Sequence, residues 1–108
     1  MKNSTMKISI QTNGFKIKPR LDSFVNETVE KIARFWGEII AAEVSLRLVN
    51  SNTTESKLCE IRLAIPGNDL LASAQCKTFE EAISKAVDII KEKIRRKKTK
   101  LIGTRNDM

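Results

Sequence analysis

The side chains of this chain that are best placed to do chemistry are cationic, and they are concentrated near its C-terminus. Residues 91–108 contain eight Lys or Arg and two acidic residues, so they carry +6 of the net charge of +7. The first 20 residues add +5, whereas residues 21–90 sum to −4. Clustered Lys and Arg side chains neutralise phosphate groups, so this uneven charge predicts binding to a polyanion, most commonly nucleic acid.

Catalytic chemistry has little support in the composition. The chain has no His and no Tyr, which removes the most common general base and the most common metal ligand. Two cysteines without a histidine make a poor zinc site, and carboxylate pairs such as Glu27 with Glu30 are typical of solvated helix faces. We therefore expect no enzyme activity, no metal, no cofactor and no small-molecule substrate.

Length and composition predict one soluble domain. The chain has 108 residues, of which 41% are hydrophobic and 31% charged, and we place the domain at residues 1–103, with a loose tail at 104–108. No apolar run approaches the roughly 20 residues of a membrane span, and we expect no signal peptide from the pattern of the first residues. A cytoplasmic location is expected, in which Cys59 and Cys76 stay reduced as small buried residues.

The elements that must position the cationic residues follow from the hydrophobic periodicity. Alternating apolar residues over 6–10 predict a first strand, which Asn13-Gly14 ends. Apolar residues at spacings of three and four between Leu21 and Phe35 predict an amphipathic helix of about five turns, ending near Gly37.

Three alternating runs and a second helix follow. These runs cover residues 42–49, 57–65 and 70–77. Their connectors are short and include the type II turn signal Pro66-Gly67, so they predict an antiparallel meander. The capping box Thr78-Phe79-Glu80-Glu81 begins a long helix whose latest expected end is Gly103. The cationic cluster therefore lies on the C-terminal half of this helix, where positive side chains complement the macrodipole.

The resulting order, β-α-β-β-β-α, predicts an α+β fold with a four-stranded mixed sheet. One crossover helix joins the first two strands, so these strands are expected to be parallel and connected right-handedly. Each strand has one apolar face, so both helices must pack on that face and leave the other face in water.

This order of elements, with its basic N-terminus and basic final helix, resembles the bacterial ribosome hibernation-promoting factor / ribosome-associated inhibitor family (short form). Residues 21–40 resemble the family's first helix, where a Lys and a second basic residue three positions later precede an aromatic residue. Residues 70–100 resemble its fourth strand and second helix. The matching positions are Lys31, Arg34 and Phe35 in the first segment, and Ala72-Ser73-Ala74, Thr78-Phe79 and Ala82-Ile83 in the second.

The resemblance implies a double-stranded-RNA-binding-like fold and a partner, the small ribosomal subunit with its 16S-type rRNA and neighbouring ribosomal proteins. It implies a protein that blocks the mRNA and tRNA channel, silencing translation and stabilising idle ribosomes under stress or in stationary phase. Binding would depend on contacts with phosphates and on the shape of the RNA rather than on contacts with base edges. The candidate RNA-binding residues are Lys16, Lys18, Arg20, Lys31, Arg34, Lys91, Lys93, Arg95, Arg96, Lys97, Lys98 and Lys100. The first three flank the start of the first helix and are candidates to converge with the others on one surface.

Two departures from the family's pattern bear on these expectations. The family commonly has Lys and Arg where this chain has Ile89 and Glu92. The cationic residues of this chain are therefore shifted towards the C-terminus relative to the family's pattern. Some members also carry a C-terminal dimerisation extension, and this chain is expected to lack a built-in dimerisation module.

Three other functions are compatible with the residues alone. A generic double-stranded RNA or nucleoid binding protein would use the same basic helix, although a minimal double-stranded-RNA-binding domain is α-β-β-β-α and lacks the first strand. A peripheral membrane protein would have only Leu101 and Ile102 to insert, because the sheet needs the apolar stripe of the helix. An enzyme has the least support, since no nucleophile, base or metal set is visible.

Overall fold

The fold is a four-stranded mixed sheet with two helices. The computed structural model describes residues 7–35, 39–49 and 55–106. The elements are β1 (Lys7–Asn13), α1 (Pro19–Phe35), β2 (Ala41–Leu48), β3 (Lys57–Ile65), β4 (Asn68–Cys76) and α2 (Phe79–Asn106). The strand order is β1-β2-β3-β4, with β1 parallel to β2 and the other pairs antiparallel. This arrangement confirms the predicted α+β fold.

The register of the strands separates a buried face of the sheet from an open one. Val44, Ile61 and Ala72 are neighbours across β2, β3 and β4, and all three are buried. One residue along, Glu43 and Arg62 pair on the open face and are exposed. The apolar stripes of both helices join the same core, so both helices cover one face, as predicted. The stripe residues are Leu21, Val25, Val29 and Ile32 of α1, and Phe79, Ala82, Ile83, Ala86, Val87, Ile90 and Ile94 of α2.

Two glycines make the turns that the sequence predicted at these positions. Gly14 has φ +93° and ends β1, while Gly67 has φ +83° in the turn between β3 and β4. Ile65 pairs with Asn68 across Pro66-Gly67, and a positive φ at the third position is what a type II turn requires. The meander of β2, β3 and β4 is therefore confirmed.

Helix α2 begins where the sequence predicted and ends later. The amide of Glu81 donates to Thr78 Oγ1 at 3.1 Å, which is the N-cap half of the predicted capping box. The helix runs to Asn106, so the expected latest end at Gly103 is wrong. A glycine inside a helix costs only about 1 kcal/mol relative to alanine, and no proline follows it to stop the helix. The domain boundary at residue 103 and the loose tail at 104–108 stay predictions. The expected end of α1 at Gly37 lies outside the described residues.

Replacing Thr78 with alanine is expected to lower the free energy of unfolding by about 1 kcal/mol, because the amide of Glu81 loses its acceptor. Urea denaturation measures this loss. The matched control is Ser84→Ala, at an exposed position of the same helix, where alanine favours the helix slightly. Equal losses in the two variants would show that the cap contributes nothing.

Cys59 and Cys76 are both buried and free, as the sequence predicted. Burial raises the pKa of the Cys59 thiol from 9.0 to about 12, and the charges of Glu60 and Cys76 add to the shift. A thiolate is the reactive form of cysteine, so a thiol that stays neutral in the folded protein is a poor nucleophile. Cys59 therefore has a packing role.

The raised pKa of Cys59 predicts a loss of stability at alkaline pH. Above pH 9.0 the unfolded thiol loses its proton, whereas the folded thiol keeps it up to about pH 12. The unfolded state then binds fewer protons, so the free energy of unfolding falls with rising pH in this window, by up to about 1.4 kcal/mol per pH unit. Urea denaturation across the window should show a shallower fall for Cys59→Ala than for the unmodified chain. The same fall in both proteins would argue against this role of the thiol.

Candidate nucleic-acid interface

The two helices run in the same direction across the sheet. Because β1 and β2 are parallel, α1 must return from the end of one to the start of the other. Strand β4 is parallel to both, and α2 runs back along it, with Lys93 beside Leu71. At the common start of the helices, the rings of Phe15 and Phe79 stack with their centroids 4.7 Å apart. The candidate residues consequently fall at two ends of the helix layer.

We name these sets the start group and the end group. The start group consists of Lys16, Lys18 and Arg20, and the end group consists of Lys31 and Arg34 of α1 with the seven candidate residues of α2, Lys91, Lys93, Arg95, Arg96, Lys97, Lys98 and Lys100. The members of the start group are exposed and precede or open α1. Arg95 lies 16 residues beyond Phe79, which is about 24 Å along the axis of α2. The structure therefore keeps the start group apart from the α2 residues and does not bring them together in one compact patch.

The exposed face of α1 carries cations and anions side by side. Lys31 and Arg34 are exposed one turn apart, and Glu27 and Glu30 lie four residues before them on the same face. Within the described ranges, neither cation has a hydrogen bond or an ion pair. Both side chains are thus available to a ligand, but the two carboxylates weaken the local positive potential.

Lys93 has a partner in the sheet. Its Nζ donates to the carbonyl oxygen of Leu71 at 2.6 Å, and Leu71 lies in β4, which is an edge strand. Edge strands expose unpaired backbone groups, and a lysine is one of the residues that protect such an edge. Lys93 therefore fastens α2 to the sheet, a role that sequence reasoning missed because no local pattern links these residues.

Glu92 engages two of the candidate arginines. Its Oε1 accepts from Arg95 Nη1 at 2.5 Å, and its Oε2 lies 3.6 Å from Arg96 Nε. All three side chains are about half or more exposed. The spacings of three and four residues are the signal from which these pairs could have been predicted. The three side chains together carry a net charge of +1.

The remaining candidates of α2 are less fully described. Lys91 is half-buried. The backbone of Lys97, Lys98 and Lys100 is helical, and their side chains lie outside the described part of the chain. They nonetheless extend the cationic end of α2 beyond Arg96.

The open face of the sheet does not add to the basic surface. Arg47 lies 3.8 Å from Glu60, and Arg62 lies 3.3 Å from Asp69 and 3.8 Å from Glu43. The five exposed side chains of these cross-strand pairs, two arginines and three carboxylates, carry a net charge of −1. The open face therefore has no excess of positive charge among these side chains, in contrast to the end of α2.

The described ranges give no support for a metal site or for a membrane-spanning helix. Residues 7–35, 39–49 and 55–106 contain no group of three or more side chains that could hold a metal ion. Over the same ranges, no helix combines the length and the apolar character that a membrane crossing requires.

Comparison with known proteins agrees with the architecture. A ribosomal subunit interface protein from Coxiella burnetii is similar with a TM-score of 0.77 and 16% identity, over 87% of this chain and 99% of that chain. The N-terminal domain of Protein Y from Thermus thermophilus has a TM-score of 0.72 and 22% identity, over 84% and 98% of the two chains. No curated protein matches. At these identities, the structural likeness shows the fold.

The family assignment comes from the sequence match. The model of the family described as sigma 54 modulation protein / S30EA ribosomal protein matches residues 8–102, nearly the whole chain. This match confirms the resemblance to the hibernation factors. The chain belongs to the sigma 54 modulation protein / S30EA ribosomal protein family.

Proposed function

We propose that this protein binds the small ribosomal subunit through its basic surface and silences translation by occupying the channel used by mRNA and tRNA. The observation that carries the proposal is the family match over residues 8–102. The similar structure from Coxiella burnetii is a ribosomal subunit interface protein, which supports a ribosomal partner. The protein would act in the cytoplasm, keeping idle ribosomes inactive and stable under stress.

The charge distribution supports this choice of partner. Residues 91–100 of α2 include seven Lys or Arg and one acidic residue, whereas the first half of the same helix carries Glu80, Glu81 and Asp88. Contacts between Lys or Arg and rRNA phosphates release counterions, and they depend on shape and charge rather than on base identity. Blocking a channel requires only that the protein occupy it, so no bond has to be formed or broken.

The length of α2 supports insertion among RNA strands. Ile94 is buried against the core, and the helix continues for 12 more residues to Asn106, which is about 18 Å. The hydrogen bond from Lys93 to Leu71 holds the helix to the sheet just before this extension. A helix anchored in this way carries its basic residues on a continuous helical extension.

Co-sedimentation with purified small ribosomal subunits across a salt series tests the proposal. We expect saturable binding of about one protein per subunit, weakening steeply as the salt concentration rises. Naked duplex RNA of similar mass serves as the comparison. Binding that never saturates, or that is equally tight on duplex RNA, would favour a generic RNA-binding protein, and an absence of binding would contradict the proposal.

A further inference from the structure

Glu92 holds the two guanidinium groups in the way that a phosphate would. One carboxylate oxygen is 2.5 Å from Arg95 Nη1 and the other is 3.6 Å from Arg96 Nε. A single anion thus uses two oxygens to bind two adjacent arginines. The contact with Arg95 is a charge-assisted hydrogen bond and the contact with Arg96 is an ion pair, and phosphate oxygens engage guanidinium groups in both ways.

We propose that Arg95 and Arg96 form a phosphate-binding position that Glu92 occupies in the free protein, and that a nucleic-acid phosphate binds there by displacing Glu92. The inference deepens the proposed function and rests on it for the source of the phosphate. Glu92 is then an internal competitor that limits the affinity of the end group.

The exchange is feasible because the ion pairs are exposed. The side chains of Arg95, Arg96 and Glu92 are 59%, 76% and 48% exposed. Exposed pairs of this kind contribute little to stability. Glu92 can therefore turn into solvent when a phosphate arrives, while the guanidinium groups keep an anionic partner throughout.

The competition has a measurable consequence for the salt dependence of binding. With Glu92 present, the three side chains carry +1, and without its charge they carry +2. The displaced carboxylate stays close to the bound phosphate and offsets one of the two positive charges, and each positive charge that neutralises a phosphate contributes about 0.7 to 0.9 to the slope of log K against log salt. Removing the carboxylate is thus expected to change the slope as well as the affinity.

The test compares Glu92→Gln with Asp88→Asn. Both variants remove one negative charge from exposed positions one turn apart on α2, and within the described ranges Asp88 has no ion pair. We expect Glu92→Gln to tighten binding to small ribosomal subunits by about 3- to 30-fold and to steepen the salt slope by nearly one. Asp88→Asn should change the affinity by less than about threefold and leave the salt slope unchanged.

A second arm places Glu92→Gln in a background with Arg95→Gln and Arg96→Gln. There the gain should vanish, because no guanidinium group is left to release. Each protein is assayed on small subunits and on duplex RNA. A Glu92→Gln effect on duplex RNA without binding to subunits would sustain the inference and refute the proposed function. Equal effects of Glu92→Gln and Asp88→Asn on both probes, or no binding to either probe, would overturn the inference.

Discussion

Reversing the charge at the end of α2 is expected to weaken binding to the small ribosomal subunit by about 100-fold or more at moderate salt. The variant carries Arg95→Glu, Arg96→Glu and Lys98→Glu. It loses three potential phosphate contacts, and three carboxylates then repel the rRNA at the same positions. Equilibrium co-sedimentation across a salt series measures both the loss of affinity and the accompanying reduction in salt dependence.

The control for this experiment changes the net charge by the same amount elsewhere. Arg47→Glu alters the open face of the sheet, Lys77→Glu the connector between β4 and α2, and Lys85→Glu the first half of α2, all away from the end group. We expect the affinity of this variant to fall by less than about tenfold, because only the long-range, screened attraction to the rRNA is reduced. Circular dichroism verifies that both variants fold. Equal losses would show that total charge, rather than the end of α2, governs binding.

Replacing Leu63 with alanine is expected to lower the free energy of unfolding by about 2 to 5 kcal/mol. Leu63 is 0% exposed and lies on the buried face of β3, opposite Ala42 of β2 and Leu70 of β4. Truncation there removes buried methyl groups and leaves a cavity among close-packed neighbours. Urea denaturation gives the loss, which is a large fraction of the roughly 5 to 15 kcal/mol typical of a folded protein.

Leu71 offers a matched control for this core substitution. It is also a strand leucine, but it is 55% exposed on the open face of the sheet. Leu71→Ala deletes the same atoms without opening a buried cavity, so a loss within about 0.5 kcal/mol is expected. Comparable losses in both variants would mean that the open face is covered in solution.

Much of the fold could be predicted from the sequence because its signals are local. Each of these signals is formed by residues that are close in the sequence: the alternation in the strands, the helical stripe from Leu21, the cap at Thr78 and the turn at Pro66-Gly67. The parallel pairing of β1 with β2 followed from the single crossover helix between them. The predicted end of α2 was wrong because a glycine such as Gly103 weakens a helix without terminating it.

The basic residues of the candidate interface could be predicted from the sequence. Which of them have hydrogen-bond or ion-pair partners could be predicted only in part. The seven basic residues of 91–100 are visible in the sequence, and so are the spacings that join Glu92 to Arg95 and Arg96. The partner of Lys93 is not visible, because Leu71 lies 22 residues away in the chain. Which cations are held by other groups depends on contacts that packing creates.

The sequence by itself determined which elements form, which faces are apolar and which helix carries the positive charge, since periodicity and charge are properties of short segments. Only the tertiary structure decided that the start group lies at the opposite end of the helix layer from the cationic end of α2. That separation follows from the common direction of α1 and α2, which is set by strand pairing across the whole sheet and by packing of both helices on its one apolar face.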